Sequence, residues 1–100
     1  MPNANYRKGY AAERRARREL EADGWATHRS GGSRGVDIVG IQTVMNRVVW
    51  VLYVSVKSGK RRPTEADKQE LRWAKPHSGL IEREIWYYAP RQPVEIISVS

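Results

Sequence analysis

The chain has 100 residues and no cysteine, which predicts one domain over 1–100 and excludes a disulfide framework, a thiolate metal site and a cysteine nucleophile. Lysine and arginine number 18 against 11 acidic residues, a formal net charge of +7 that draws a protein towards polyanions, nucleic acid foremost. A hydrophobic fraction of 40% supports a folded core, so a mean hydropathy of −0.69 reflects a charged surface rather than disorder. No run approaches the roughly 20 apolar residues of a membrane span. The first ten residues lack the apolar segment of a secretory leader, which predicts a cytoplasmic location and no membrane contact. A core this small, with several large aromatic side chains, also predicts a homodimer.

In chain order, 5–23 is rich in Ala, Arg, Glu and Leu and ends before Gly24, which predicts a helix. Ala12, Ala16 and Leu20 recur at i, i+4 and i+8 as its buried stripe, while arginines cover much of the rest. A short strand over 25–29 enters a glycine-rich loop at 30–35, and 36–41 reads as a second strand with Asp37 among β-branched residues. After a connection at 43–46, the apolar run 48–57 predicts a central strand covered on both faces. It stops in the basic loop 58–62. Thr64 is a good N-cap, with acidic residues in the first turn of a helix running to about Ala74 and ended by Pro76. Strands over 83–89 and 94–99 complete an α/β arrangement in the order α-β-β-β-α-β-β around one mixed sheet.

Three residues in this pattern suit phosphodiester hydrolysis. Glu13 on the first helix and Asp37 on the second strand offer the carboxylate oxygens that a hard divalent ion requires. Lys57, at the end of the central strand, is suited to orienting water or stabilising charge on phosphate. Ser55 lies two residues before it and shares its face of the strand. Asp37 stands out, because a carboxylate inside an apolar strand is costly unless something binds it. Arg7, Lys8, Arg14, Arg15, Arg29, Arg34, Lys60, Arg61 and Arg62 flank these positions and suit phosphate contact without base readout. His28 and His77 lack metal-ligand spacing, and 31–35 lacks the Lys-Ser/Thr ending of a phosphate-binding loop.

The blocks YRKG-YAAER, HRSGGS, VDIVGI and VSVKSG, in this order and spacing, resemble the archaeal-type Holliday junction resolvases of the PD-(D/E)XK nuclease superfamily. The resemblance covers about 6–60 well, and the rest only by order of elements. It implies a restriction-endonuclease-like mixed sheet flanked by helices, Mg²⁺ or Mn²⁺ as cofactor, and cleavage of four-way DNA junctions by a twofold-symmetric homodimer. It assigns Glu13 and Asp37 to the metal, Lys57 to the E-x-K half-motif, and Arg14 to the arginine beside the helical glutamate. Arg29 matches the arginine before the flexible loop, and Ser30 and Ser33 match the loop serines.

One departure matters. Ser55 stands where the resemblance implies a metal-binding carboxylate, so a neutral hydroxyl replaces a negative ligand. The readings left open are a slow nuclease, a Mn²⁺ preference, an introduced inactivating change, a ligand relocated to Glu65 or Gln69, and a junction-binding protein without catalysis. A flap, nicking or single-strand nuclease of the same superfamily is a further alternative. Trp73, Trp86, Tyr87 and Tyr88 are read as core or dimer interface rather than base-stacking residues.

Overall fold

The computed structural model describes residues 4–30 and 35–100, with side chains from residue 9 onward. The predicted roles of Ser33 and Arg34, and of the Arg7 and Lys8 side chains, lie outside the described residues. Helix α1 spans Ala4–Ala22, followed by β1 (Ala26–Arg29), β2 (Ile38–Val44), β3 (Arg47–Ser58), α2 (Glu65–Arg72), β4 (Ile81–Tyr88) and β5 (Glu95–Ser98). The order is the one read from the sequence. The strands form a single sheet, β1-β2-β3-β4-β5, antiparallel throughout except for the parallel pair β3–β4. Helix α2 makes the crossover that a parallel pair requires.

Alternation along β3 divides the core between two faces. Leu52 and Val54 join Ile38, Trp86 and Tyr88 under the Ala12, Ala16 and Leu20 stripe of α1. On the opposite face Tyr53 packs with Val36, Ile85 and Val99 against Leu71 and Ala74 at the α2 end. The result is a three-layer α/β/α fold with the sheet in the middle. It is a restriction-endonuclease-like architecture, with helices on both faces of a mixed sheet.

Local chemistry explains the ends of the elements. Helix α1 ends in a Schellman motif: Trp25 N–H donates to Leu20 O at 3.0 Å and Gly24 N–H to Glu21 O at 3.1 Å, with Gly24 at φ +96°. Helix α2 starts in a capping box in which Thr64 Oγ1 accepts from Asp67 N–H and Asp67 accepts from Thr64 N–H. Its other end is held by Arg83, which is only 7% exposed. The Arg83 guanidinium donates to Leu71 O at 3.1 Å, Ile81 O at 3.0 Å, Ser78 O at 3.3 Å and Ala74 O at 3.5 Å, which ties the end of α2 and the connection after it to the start of β4.

Two sequence expectations are corrected in this region. Thr43 and Val44 are strand rather than connection, and the turn is only Met45–Asn46, both at positive φ (52° and 64°) as a two-residue hairpin demands. The central strand is covered on both faces only from its middle onward. Val48, Val49 and Trp50, with Val44 and Met45 opposite, are exposed, because the hairpin extends beyond the pairing of β1, which ends at Ile41, and of β4, which begins at Val51.

Candidate active site

Three elements converge at the carboxyl end of β3. Asp37 is not inside a strand: it occupies the bend just before β2, which begins at Ile38. The predicted strand start is therefore corrected, and hydrogen bonding gives the reason. Asp37 N–H donates to Val54 O at 2.8 Å, and Ser30 N–H donates to Asp37 O at 3.0 Å. Its Oδ2 accepts from Val56 N–H at 2.7 Å. The carboxylate thus replaces a strand partner beside Val56, between Ser55 and Lys57, and one of its oxygens is satisfied by a backbone amide.

Glu13 faces the same place from α1. Its Oε2 pairs with Arg29 Nη2 at 3.3 Å. The carboxyl is held above its ordinary value of 4.5, first by burial and then by the like charge of Asp37, against the opposing pull of Arg29. A carboxyl whose ionisation is opposed by burial and by a neighbouring carboxylate makes a site suited to a cation. The helix partner Arg17 is turned elsewhere: its Nε donates to Thr27 Oγ1 at 3.0 Å, and Thr27 Oγ1 donates to Glu21 Oε2 at 2.6 Å, which ties α1 to β1.

Ser55 is almost fully buried, at 2% exposure. Lys57 follows on the same face, and its Nζ lies 3.6 Å from Asp67 Oδ1 on α2. The two relocation candidates point along the helix instead: Gln69 Nε2 donates to Glu65 Oε1 at 3.4 Å, and Trp73 Nε1 donates to Gln69 Oε1 at 3.1 Å. Among the described residues no three His, Cys, Asp or Glu side chains gather as a metal cluster. The oxygen donors present are two carboxylates and one hydroxyl. That set still suits Mg²⁺, which commonly takes one or two carboxylates and fills its other positions with water and substrate phosphate. Glu13 and Asp37 are the residues that would hold it.

The basic residues differ in availability. Arg62 is paired with Glu95 through a bidentate contact at 2.6 and 2.9 Å, which joins the basic loop to β5. Arg15 lies over the Tyr88 ring at 4.8 Å, and Arg14 and Arg29 lie over Tyr10 at 5.9 and 5.4 Å. Lys60 and Arg61 are exposed. Trp86, Tyr87 and Tyr88 are core, while Trp73 is exposed and stacks on His77.

Sequence reasoning missed two positions. Asp67 was hidden by its first-turn place on α2, which accounts for an acidic residue without any site. Gly35 was read only as part of a glycine-rich loop, yet its φ is +81° and a Cβ there would come within 2.9–3.1 Å of Glu70. Its missing side chain allows α2 to close on the segment leading to Asp37.

Fold and site together define the class: a PD-(D/E)XK-like nuclease fold with its acidic residues gathered at the end of β3. The particular likeness is to the 1.6 Å structure of Archaeoglobus fulgidus Hjc, a Holliday junction resolvase from an archaeal hyperthermophile, with a TM-score of 0.65 and 25% sequence identity. The match covers 92% of this chain and 73% of the Archaeoglobus chain, extending the resemblance read over 6–60 into the C-terminal third. No protein-family model and no curated protein sequence matches the chain. Among the described residues no helix is long and apolar enough to cross a membrane.

Proposed function

We propose that the protein is a metal-dependent, structure-specific DNA endonuclease that resolves four-way junctions as a homodimer. The observation that carries this reading is the meeting of Glu13 and Asp37 beside the Val56 amide, two residues' reach from Lys57. The likeness to a resolvase over nearly the whole chain supports it, and the net charge of +7 suits a duplex-binding surface.

Each residue has a definable task. Glu13 and Asp37 hold the divalent ion, Mg²⁺ or Mn²⁺, which when bound polarises the scissile phosphate and acidifies water. Asp37 is kept in place by Val56 N–H, so its second oxygen is presented without rotamer search. Arg29 pairs with Glu13, and its half-exposed guanidinium is placed to meet a phosphate beside that carboxylate. Lys57 places a positive charge where negative charge grows on the phosphate. Lys60 and Arg61, with Arg14 and Arg15, follow the backbone of the arms. One chain holds one such centre, and resolving a junction requires two opposed cuts, hence the homodimer.

The test uses a labelled four-way junction, a linear duplex and a single strand, each with the protein in Mg²⁺ and in Mn²⁺. Paired symmetric nicks in the junction are the expected result. Cuts confined to single-stranded or flap substrates would replace this reading with another nuclease of the same architecture. Tight junction binding with no cut in either metal would make the protein a junction-binding module, one of the readings that Ser55 leaves open.

A further inference from the structure

We propose that Asp67, reaching from α2, is a positioning residue for Lys57 and supplies beside that lysine the negative charge that Ser55 does not. The inference rests on the nuclease reading for its catalytic meaning, but its structural content stands on distances alone.

Side chains at 55 and 57 share the sheet face that α2 covers. The first of them is a buried neutral serine, so nothing on β3 itself balances the lysine. The ammonium instead pairs with Asp67 Oδ1 at 3.6 Å, whereas Glu13 on α1 is paired with Arg29. Asp67 is itself fixed. Its Oδ2 accepts from Thr64 N–H at 2.8 Å and from the Thr64 hydroxyl at 3.1 Å, which leaves Oδ1 aimed at Lys57. A lysine side chain is long and rotamer-rich, and an anchored anion is what limits where its ammonium resides. The backbone hydrogen bond from Thr64, with the lysine charge as a lesser cause, keeps the Asp67 carboxyl below its ordinary 3.8, so the anion is present throughout the neutral range.

The pair also has access to substrate. Lys57, Ser58, Arg61, Thr64 and Asp67 are among the residues lining an open cavity of about 340 Å³. An ammonium at its wall is reachable by a phosphate oxygen. Asp67 acts through Lys57 and not as a third metal ligand, since no group of three acidic or histidine side chains gathers among the described residues.

Two readouts test this, one of them without metal or turnover. In the metal-free protein the Lys57 ¹⁵Nζ resonance is expected to be ordered, to collapse in Asp67→Asn, and to persist in Thr64→Ala, which breaks the cap but keeps the carboxylate. An unchanged Lys57 signal in Asp67→Asn overturns the proposal. In junction nicking, Asp67→Asn is expected to lower kcat by at least about tenfold, the low end for removing a group that orients a site residue, with KM unchanged. Addition of Ser55→Glu in the Asp67→Asn background is expected to recover part of that loss. A loss reproduced by Thr64→Ala and not recovered by Ser55→Glu shows a helix cap only and overturns the proposal, as does undiminished nicking by Asp67→Asn. A wild-type protein that never nicks, but whose Lys57 signal still depends on Asp67, sinks the nuclease reading while supporting the pairing.

Discussion

Glu13 is held where ionisation is penalised. Its carboxyl sits above the ordinary value of 4.5 because burial and Asp37 both disfavour the charged form. The folded state therefore binds the Glu13 proton more tightly than the unfolded chain does. The contribution of Glu13 to stability is most favourable below pH 4.5 and is lost as pH rises through its raised value. At neutral pH without metal, Glu13→Gln is expected to leave the melting temperature equal to or above that of the wild type. The difference should shrink as pH falls to 4.5. If Glu13 holds the ion as proposed, added Mg²⁺ should raise the melting temperature of the wild type and not that of the variant. A large loss of metal-free stability in Glu13→Gln would mean that the carboxylate serves the fold through Arg29 rather than a cation. At this scale the sequence exposes Asp37 well, since a lone carboxylate in an apolar run has few innocent explanations. It conceals Asp67, whose partner Lys57 lies ten positions away and is met only through the packing of α2 on β3.

Among the elements, α2 depends most on contacts made outside itself. It is eight residues long, too short to be stable alone in water, so its two ends decide whether it forms. Thr64 and Asp67 close one end, and Arg83 from β4 closes the other. Removing a buried guanidinium with four carbonyl partners should destabilise the protein by about 3 kcal/mol, measured as a fall in the urea midpoint of Arg83→Ala. Arg83→Lys should recover little, because an ammonium lacks the planar fork that spans those carbonyls. The element order was legible because propensity, caps and apolar runs agree with one another along the chain. Boundaries were less legible. Met45–Asn46 is an unusual pair for a hairpin with two positive φ values, where Asn-Gly or Asp-Gly is the readable signal, so the strands were ended early. Arg83 looked like a strand edge because three of its four carbonyl partners belong to the α2 end and the connection after it.

Over the whole molecule the excess of seven positive charges is unevenly available. Junction affinity should fall steeply with salt, since each neutralised phosphate releases counterions. Arg61→Ala should reduce the slope of log affinity against log salt by about 1. Arg62→Ala should leave that slope nearly unchanged, because its guanidinium is already spent on Glu95. Equal effects of the two substitutions would show that the Glu95 pair opens on DNA. Charge arithmetic alone could not separate these neighbours. Their difference comes from β5, which brings Glu95 to the basic loop from 33 residues away.

The mixed pairing of β3 also divides its contacts into local and distant ones. On one side β3 meets β2 through a two-residue hairpin, a local encounter that closes quickly. On the other it meets β4 in parallel, which must wait until the α2 crossover has looped back, and non-local pairings of this kind are slow to form. Glu13 and Asp37 both belong to the part before the crossover, whereas the partner of Lys57 lies within it. Connectivity thus divides the centre: Glu13 and Asp37 lie before the α2 crossover, and the pairing of Lys57 with Asp67 exists only once that crossover packs back on β3.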